Sequence, residues 1–260
     1  TVKEAYEVEK NAHSELKRLD EAKTQFIMAT QHHLRTPLTS MIGYLDLIFG
    51  GIYGKVPSEL RKTLKKFEIS TSRLIKVVNE LLDISQFQLG KKIVILKDGI
   101  DIEPILKEIM EELEVETKTK KIYLKLVKPR KTLPLVKADP EKLKVAITNI
   151  IDNGVKYTEK GGVTIELKHQ TSNVKSGVQL KTKLQIIVKD TGMGIANKDL
   201  KTLFSRTFER GEKAKQVYTT GRGIGLYITY QIIKAHNGKI WAESEGRNKG
   251  TSFYIELPVD

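Results

Sequence analysis

Cysteine is absent from the 260 residues, which excludes disulfides and thiolate metal sites and leaves the redox compartment unreadable. Long hydrophobic runs are absent too. No stretch approaches the ~18 apolar residues of a membrane span, and no signal-peptide pattern opens the chain. Aromatic residues make up only 7%, with one tryptophan, and the lysines are scattered. The arginine–aromatic clustering of a nucleic-acid groove is missing, so no nucleic-acid partner is expected. What is present is positive charge: 45 Lys and Arg against 32 Asp and Glu, a net of +13. Residues 1–90 hold 13 basic against 11 acidic residues, leaving 32 against 21 for residues 91–260. A basic second part favours anionic partners such as nucleotide phosphates and acidic protein surfaces. The length suits one large domain or two modest ones. Because the chain opens on Thr1, we expect a preceding segment in the full protein that holds a sensor or a membrane anchor.

The periodicity predicts one long helix over residues 1–49. Ala5, Ala12, Leu19 and Phe26 recur every seven residues, with Val2 and Leu16 on the other seam position and Glu9 and Lys23 interrupting it. Leu34, Leu38, Met41, Leu45 and Ile48 continue an apolar face at spacings of four and three. "FGGIYGKVP" then breaks the pattern. A second helix is expected from about Ser58 to Gln88, with Leu60, Leu64, Phe67, Leu74, Val78 and Leu81 on one stripe. A lone hairpin cannot enclose such stripes, so the expectation is a homodimer closing a four-helix bundle.

After Gly90 the texture changes. "KIVIL", "IYLKLV", "VTIELK", "LQIIVKD", "KIWAES" and "SFYIEL" read as strands. Helices are expected near Asp101–Thr117, Pro140–Lys156 and Gly225–Ala235, and "KHQTSNVKSGVQLKTK" as a hairpin loop. The fold class is therefore multidomain α and α+β: a helical hairpin, then an α/β sandwich with a mixed sheet covered by helices on one face. The expected domains are a coiled-coil signalling helix at 1–24, the hairpin at 25–90 and the α/β domain at 91–260.

Three patterns in the second part bear on chemistry. In "DPEKLKVAITNIIDNGVKYT", Asp139 is a ready N-cap and Pro140 suits the first helical position. Asn149, Asn153 and Lys156 share a stripe apart from the core face of Leu143, Ile147, Ile150 and Gly154. That stripe is either a solvated face or a site offering amide oxygens to Mg²⁺ and a cation to phosphate. "IIVKDTGMGI" runs a strand into Asp190, Gly192 and Gly194. This is either a plain turn or a carboxylate and open backbone for a flat ring with an exocyclic amine. "GRGIGL" places Gly221, Gly223 and Gly225 before a helix N-terminus, where free N–H groups attract phosphate. It is neither the P-loop nor the dinucleotide fingerprint.

Taken in order, these segments resemble the cytoplasmic catalytic core of sensor histidine kinases from about residue 20 to the C-terminus. "HHLRTPL" resembles the family's H-box and "NIIDNGVKYT" its N-box; "DTGMGI", "GRGIGL" and "GTSFYIELP" resemble its glycine boxes, with "LFSRTFERGEKA" around the nucleotide lid. The resemblance implies ATP and Mg²⁺ as cofactors and a gyrase-type ATP-binding domain in a cytoplasmic core. His32 would be the phosphoacceptor, and a response-regulator receiver domain the partner. It further implies that Asn153 binds Mg²⁺ with Asn149 beside it, that Lys156 meets phosphate and that Tyr157 flanks the nucleotide. Asp190 would read the adenine amine, Gly192 and Gly194 would shape its pocket, and Gly221, Gly223 and Gly225 would let the lid fold over the triphosphate.

A histidine suits phosphoryl acceptance because a neutral imidazole, with a reference pKa of ~6.5, can attack through one nitrogen while the other gives up its proton. His32 lies off the Leu34/Leu38/Met41/Leu45 stripe, on a polar face with Arg35, Thr36 and Thr39. His32 and His33 point ~100° apart, which excludes an i,i+4 chelating pair. Pro37 removes the N–H that the His33 carbonyl would accept; the resulting bend either opens room for an incoming domain or is absorbed by packing. His33 departs from the family, which places Glu or Asp there to take the proton. Thr36 matches the family's phosphatase position. Arg222 stands where threonine is common, either clamping the γ-phosphate or facing solvent. Phe204 and Phe208 are one residue further apart than usual. The alternatives are a gyrase-type ATPase, which has no reason to carry "HHLRTPL", and a dimeric module using nucleotide only as a ligand.

Overall fold

The computed structural model describes residues 2–88, 94–129, 132–172, 181–204 and 224–259. The chain divides into two compact units, Thr1–Lys91 and Lys92–Asp260.

The first unit is a hairpin of α1 (Val2–Phe49) and α2 (Ser58–Gln88). Helix α1 passes residue 24 and Pro37 as one continuous element. It ends where Gly51 and Gly54 take positive φ of 81° and 92°, the conformation that lets the chain turn back. Leu38, Leu45, Thr71 and Val78 are buried in the hairpin. The rest of the apolar stripe is not: Leu34, Met41, Leu60, Phe67 and Leu74 are all exposed.

The second unit runs β1 (Lys97–Ile100), α3 (Ile102–Lys120), β2 (Tyr123–Val127), β3 (Val136–Ala138), α4 (Pro140–Tyr157), β4 (Gly162–Ser172), β5 (Lys181–Asp190), α5 (Asn197–Leu200), α6 (Ile224–Ala235), β6 (Lys239–Glu243) and β7 (Thr251–Val259). A five-stranded sheet of order β2-β4-β5-β7-β6 is antiparallel except for the β2–β4 pair; β1 and β3 form a separate antiparallel pair. Strand alternation sets the core. Val163, Ile165 and Leu167 of β4, Leu184, Ile186 and Val188 of β5, and Phe253, Ile255 and Leu257 of β7 are buried. Helices α3, α4 and α6 add Leu106, Ile109, Leu143, Ile147, Ile150, Ile228 and Ile232. Each such side chain stabilises the fold by about 1.5–3 kcal/mol relative to exposure.

Two strand expectations change. "KIVIL" is not a strand in its described part: residues 94–96 are irregular, and β1 begins at Lys97. The Ile95 N–H goes instead to Asp139 Oδ2 at 2.8 Å, so it is spent outside any ladder. The polar segment 168–183 is not all loop. β4 and β5 carry their ladder out to Ser172 opposite Lys181, because ladder bonds need only backbone.

Candidate functional site

Helix α4 starts where the Asp139 Oδ1 accepts the Lys142 N–H at 3.1 Å, with Pro140 in the first turn. Its core face buries Leu143, Ala146, Ile147, Ile150, Ile151, Gly154 and Val155. That burial sets the direction of the neighbouring stripe. Asn149 is nearly buried against α6, its Nδ2 facing the Gly225 carbonyl at 3.4 Å and the Thr229 hydroxyl at 3.5 Å. A Cβ at Gly225 would stand in ordinary contact with the Asn149 amide, 3.4 Å from its carbon. Asn153, Lys156 and Tyr157 follow, half-buried, with the Lys156 ammonium 5.6 Å from the Tyr157 ring centre.

Asp190 ends β5. Its Oδ1 accepts the Gly192 N–H at 2.8 Å and the Thr251 N–H at 3.2 Å, and its Oδ2 has no hydrogen-bond partner among the described residues. Burial pushes the carboxyl up to about 6, against the opposing pull of those two N–H groups. The carboxylate is thus fixed through one oxygen.

Gly154 lets the last turn of α4 settle on β4: a Cβ there would press on Val163 at 3.2 Å, with the Asp190 Cβ in ordinary contact at 3.6 Å. Gly192 lets the end of α4 reach Asp190, since its Cβ would stand 2.4 Å from the Tyr157 carbonyl oxygen and 2.9 Å from Asp190 Oδ1. The Met193 N–H then donates to that Tyr157 carbonyl at 3.2 Å. The room left by Gly192 is therefore filled by protein backbone, not by open space. Gly194, at φ 64°, would place a Cβ 2.0 Å from the Gly246 oxygen, so it too is held by close packing.

In the first unit His32, His33 and Thr36 all lie on α1, roughly four to five turns before its end. The His32 side chain lies outside the described residues; His33 and Thr36 are exposed. Arg35, on the same stretch, donates to Asn79 Oδ1 of α2 at 2.5 Å. Gly221, Arg222, Gly223 and Phe208 lie outside the described residues. Phe204 is described, packed between Tyr230 and Phe253 with ring centres 6.3 and 6.4 Å away.

Residues 138–260 match the family model of histidine kinase-, DNA gyrase B- and HSP90-like ATPases, and residues 22–90 match that of the His kinase A phosphoacceptor domain. The sensor protein kinase WalK of Staphylococcus aureus (strain MRSA252) is 33% identical over 248 residues, covering 95% of this chain and 38% of its own length. The sensor histidine kinase WalK of Bacillus subtilis (strain 168) is likewise 33% identical, over 94% of this chain and 38% of its length. The chain belongs to the sensor histidine kinases. It spans well under half the length of these two relatives. A solved structure of full-length ShkA in complex with AMPPNP superposes at a TM-score of 0.67 with 27% identity, covering 90% of this chain and 45% of that one. The Acinetobacter baumannii histidine kinase AdeS shares the fold at a TM-score of 0.56 and 23% identity, covering 88% of this chain and 98% of that one.

Within this histidine kinase core, the sequence patterns missed the loop between β6 and β7 as a support of the Asp190 segment. Ser244 Oγ accepts the Ile195 N–H at 3.0 Å and donates to the Gly250 carbonyl at 2.7 Å. The Asn248 and Gly250 N–H groups donate to the Met193 and Gly192 carbonyls at 2.7 and 3.1 Å. "GTSFYIELP" marked this region, but nothing in a one-dimensional pattern pairs its backbone with residues more than fifty positions earlier. No helix among the described residues is long and apolar enough to cross a membrane.

Proposed function

We propose that this chain is the ATP-dependent autokinase core of a sensor protein, working on the cytoplasmic side. The α/β unit binds Mg·ATP and presents the γ-phosphoryl group to His32, from which it passes to an aspartate of a response-regulator receiver domain. The observation that carries this reading is the joining of Asp190 to the Tyr157 end of α4 through Gly192 and the Met193 N–H. That contact sets a fixed carboxylate against the end of the helix that carries Asn153 and Lys156.

The donor set suits a magnesium triphosphate. Among the described residues no three His, Cys, Asp or Glu side chains gather to hold a metal alone. Asn153, with Asn149 beside it, instead offers hard amide oxygens that leave room for phosphate oxygens in the shell. When bound, the ion neutralises charge on the phosphates. Lys156 meets phosphate and Tyr157 flanks the nucleotide. Asp190 accepts the adenine amine through Oδ2, while Gly192 and Gly194 shape the floor beneath it. Gly221, Arg222, Gly223 and Gly225 form the segment that folds over the triphosphate, with Arg222 toward the γ-phosphate.

At His32 one ring nitrogen bonds to the γ-phosphorus as its bond to the bridging oxygen breaks, and ADP departs. The proton on the other ring nitrogen passes to His33, a neutral base in place of the family's carboxylate. Thr36, one turn on, orients water for dephosphorylating the partner. The exposed Phe67 and Leu74 stripe supports a homodimer through the hairpin. The match of residues 22–90 to a phosphoacceptor domain speaks against a plain gyrase-type ATPase. Incubation with γ-labelled ATP tests the reading: the expected product is protein-bound label that is acid-labile, alkali-stable and absent from His32→Gln. Label that survives this substitution overturns it.

A further inference from the structure

Every helix ends with four backbone carbonyls that lack an intrahelical partner, and the end of α4 is where the nucleotide-facing residues sit. Three of its last four carbonyls are taken by groups from elsewhere. The Tyr157 carbonyl accepts the Met193 N–H at 3.2 Å. The Val155 and Lys156 carbonyls both accept the ammonium of Lys120, each at 2.8 Å. Lys120 is the last residue of α3, 35 positions earlier, and its side chain is only 25% exposed. Its own helix does not need it: α3 is closed by Lys121 in the left-handed conformation, φ 56°, whose N–H returns to the Thr117 and Lys118 carbonyls.

We propose that Lys120 is a positioning residue for the nucleotide site. An ammonium at a helix C-terminus opposes the negative end of the helix dipole, and here it also satisfies two carbonyls of the final turn. That turn bears Lys156 and Tyr157, with Asn153 just before it, and rests on Gly192 beside Asp190. Without the ammonium, two part-buried carbonyls seek water, and the turn loosens at the point where its side chains must face the nucleotide. Glu116, 3.8 Å from the ammonium and one turn back on α3, keeps it over the α4 end. The inference rests on the nucleotide reading above and adds to it the group that holds the α4 stripe in place.

The test uses the full chain with Lys120→Met, which keeps the stem but not the charge, and Lys120→Arg, which restores a cationic donor. Binding of a non-hydrolysable ATP analogue is measured by calorimetry, and autophosphorylation is followed across ATP concentrations. For Lys120→Met we expect Kd and KM to rise about tenfold while kcat at saturating ATP stays within about threefold; Lys120→Arg returns both to within about threefold of wild type. A Lys120→Met chain that binds the analogue within twofold of wild type overturns the inference, as does a loss that Arg does not repair. If circular dichroism shows Lys120→Met unfolded, Lys120→Gln, a neutral donor, replaces it under the same limits. A wild-type chain that binds no analogue overturns the nucleotide reading and this inference with it; normal binding by both wild type and Lys120→Met overturns only the inference.

Discussion

In the α/β unit Leu106, Ile109, Leu143, Ile147 and Ile186 are fully buried within one chain, whereas in the hairpin Phe26, Phe67 and Leu74 stay 71%, 50% and 49% exposed. Both regions carry ample apolar residues, so composition does not separate them. Geometry does. A sheet with three helices on one face closes a core by itself. Two helices meet along a single line, which buries Leu38, Leu45 and Val78 and leaves the flanking positions open. The unit proposed to hold a nucleotide in fixed geometry closes its core within one chain; the unit proposed to present the phosphoacceptor leaves apolar side chains open for a second copy.

The largest test of that division is His32→Gln, which removes all acid-labile label while nucleotide binding by the α/β unit stays at the wild-type value. Next comes Asp190→Asn, which should weaken nucleotide binding about a hundredfold and leave the dimer intact, as read by calorimetry and sedimentation. Its pH signature is as informative. With the Asp190 carboxyl raised to about 6 from an ordinary value of 3.8, nucleotide affinity should fall as pH drops through 6, because the amine needs the ionised form. Folding responds in the opposite sense. A raised carboxyl contributes stability that is complete below pH 3.8 and lost as pH rises through 6, on the order of 2–3 kcal/mol. Thermal melts of wild type and Asp190→Asn across that window should differ accordingly.

Placing charge on the hairpin stripe sharpens the contrast from the other side. Phe67→Glu together with Leu74→Glu should weaken dimerisation by about 10- to 100-fold in sedimentation while the α/β melting transition does not move. The smallest effect expected is at His33. Restoring a carboxylate by His33→Glu should speed autophosphorylation about three- to tenfold and flatten its pH profile; an unchanged rate and profile would remove His33 from the proton path.

The legible parts of the fold were those with local causes. Asp139 and Pro140 announced the start of α4 because a cap acts within three residues. Alternation announced β4 and β7, which bury every second residue; β5, buried on both faces from Leu184 to Val188, and the short, half-exposed β2 and β6 were announced by their apolar and β-branched content. β3, only Val136–Ala138, carried no such signal, and it exists because β1 pairs with it. The apolar "KIVIL" looked like a stronger strand than "KDGI", yet its Ile95 N–H bonds Asp139, which itself donates its backbone N–H to His236 Nε2 at 2.9 Å. The two bonds of that three-way junction span 44 and 97 positions, beyond any window of periodicity. In the site, the stripe of Asn149, Asn153 and Lys156 was visible from helical spacing. The supporting groups, Lys120, Ser244 and the Thr251 N–H, were not, because they act through backbone atoms of distant residues.

The sequence by itself determined the helices and the longer strands, the chemistry on offer at Asp190 and along α4, and the surplus apolar stripe of the hairpin, since each follows from side chains a few positions apart. The tertiary structure alone decided that Gly154 seats α4 on Val163, that Gly192 brings its end against Asp190, and that Lys120 closes the end of that helix. Such contacts depend on how close two backbones come once the core has packed, a distance fixed by the side chains between them rather than by the residues that finally touch.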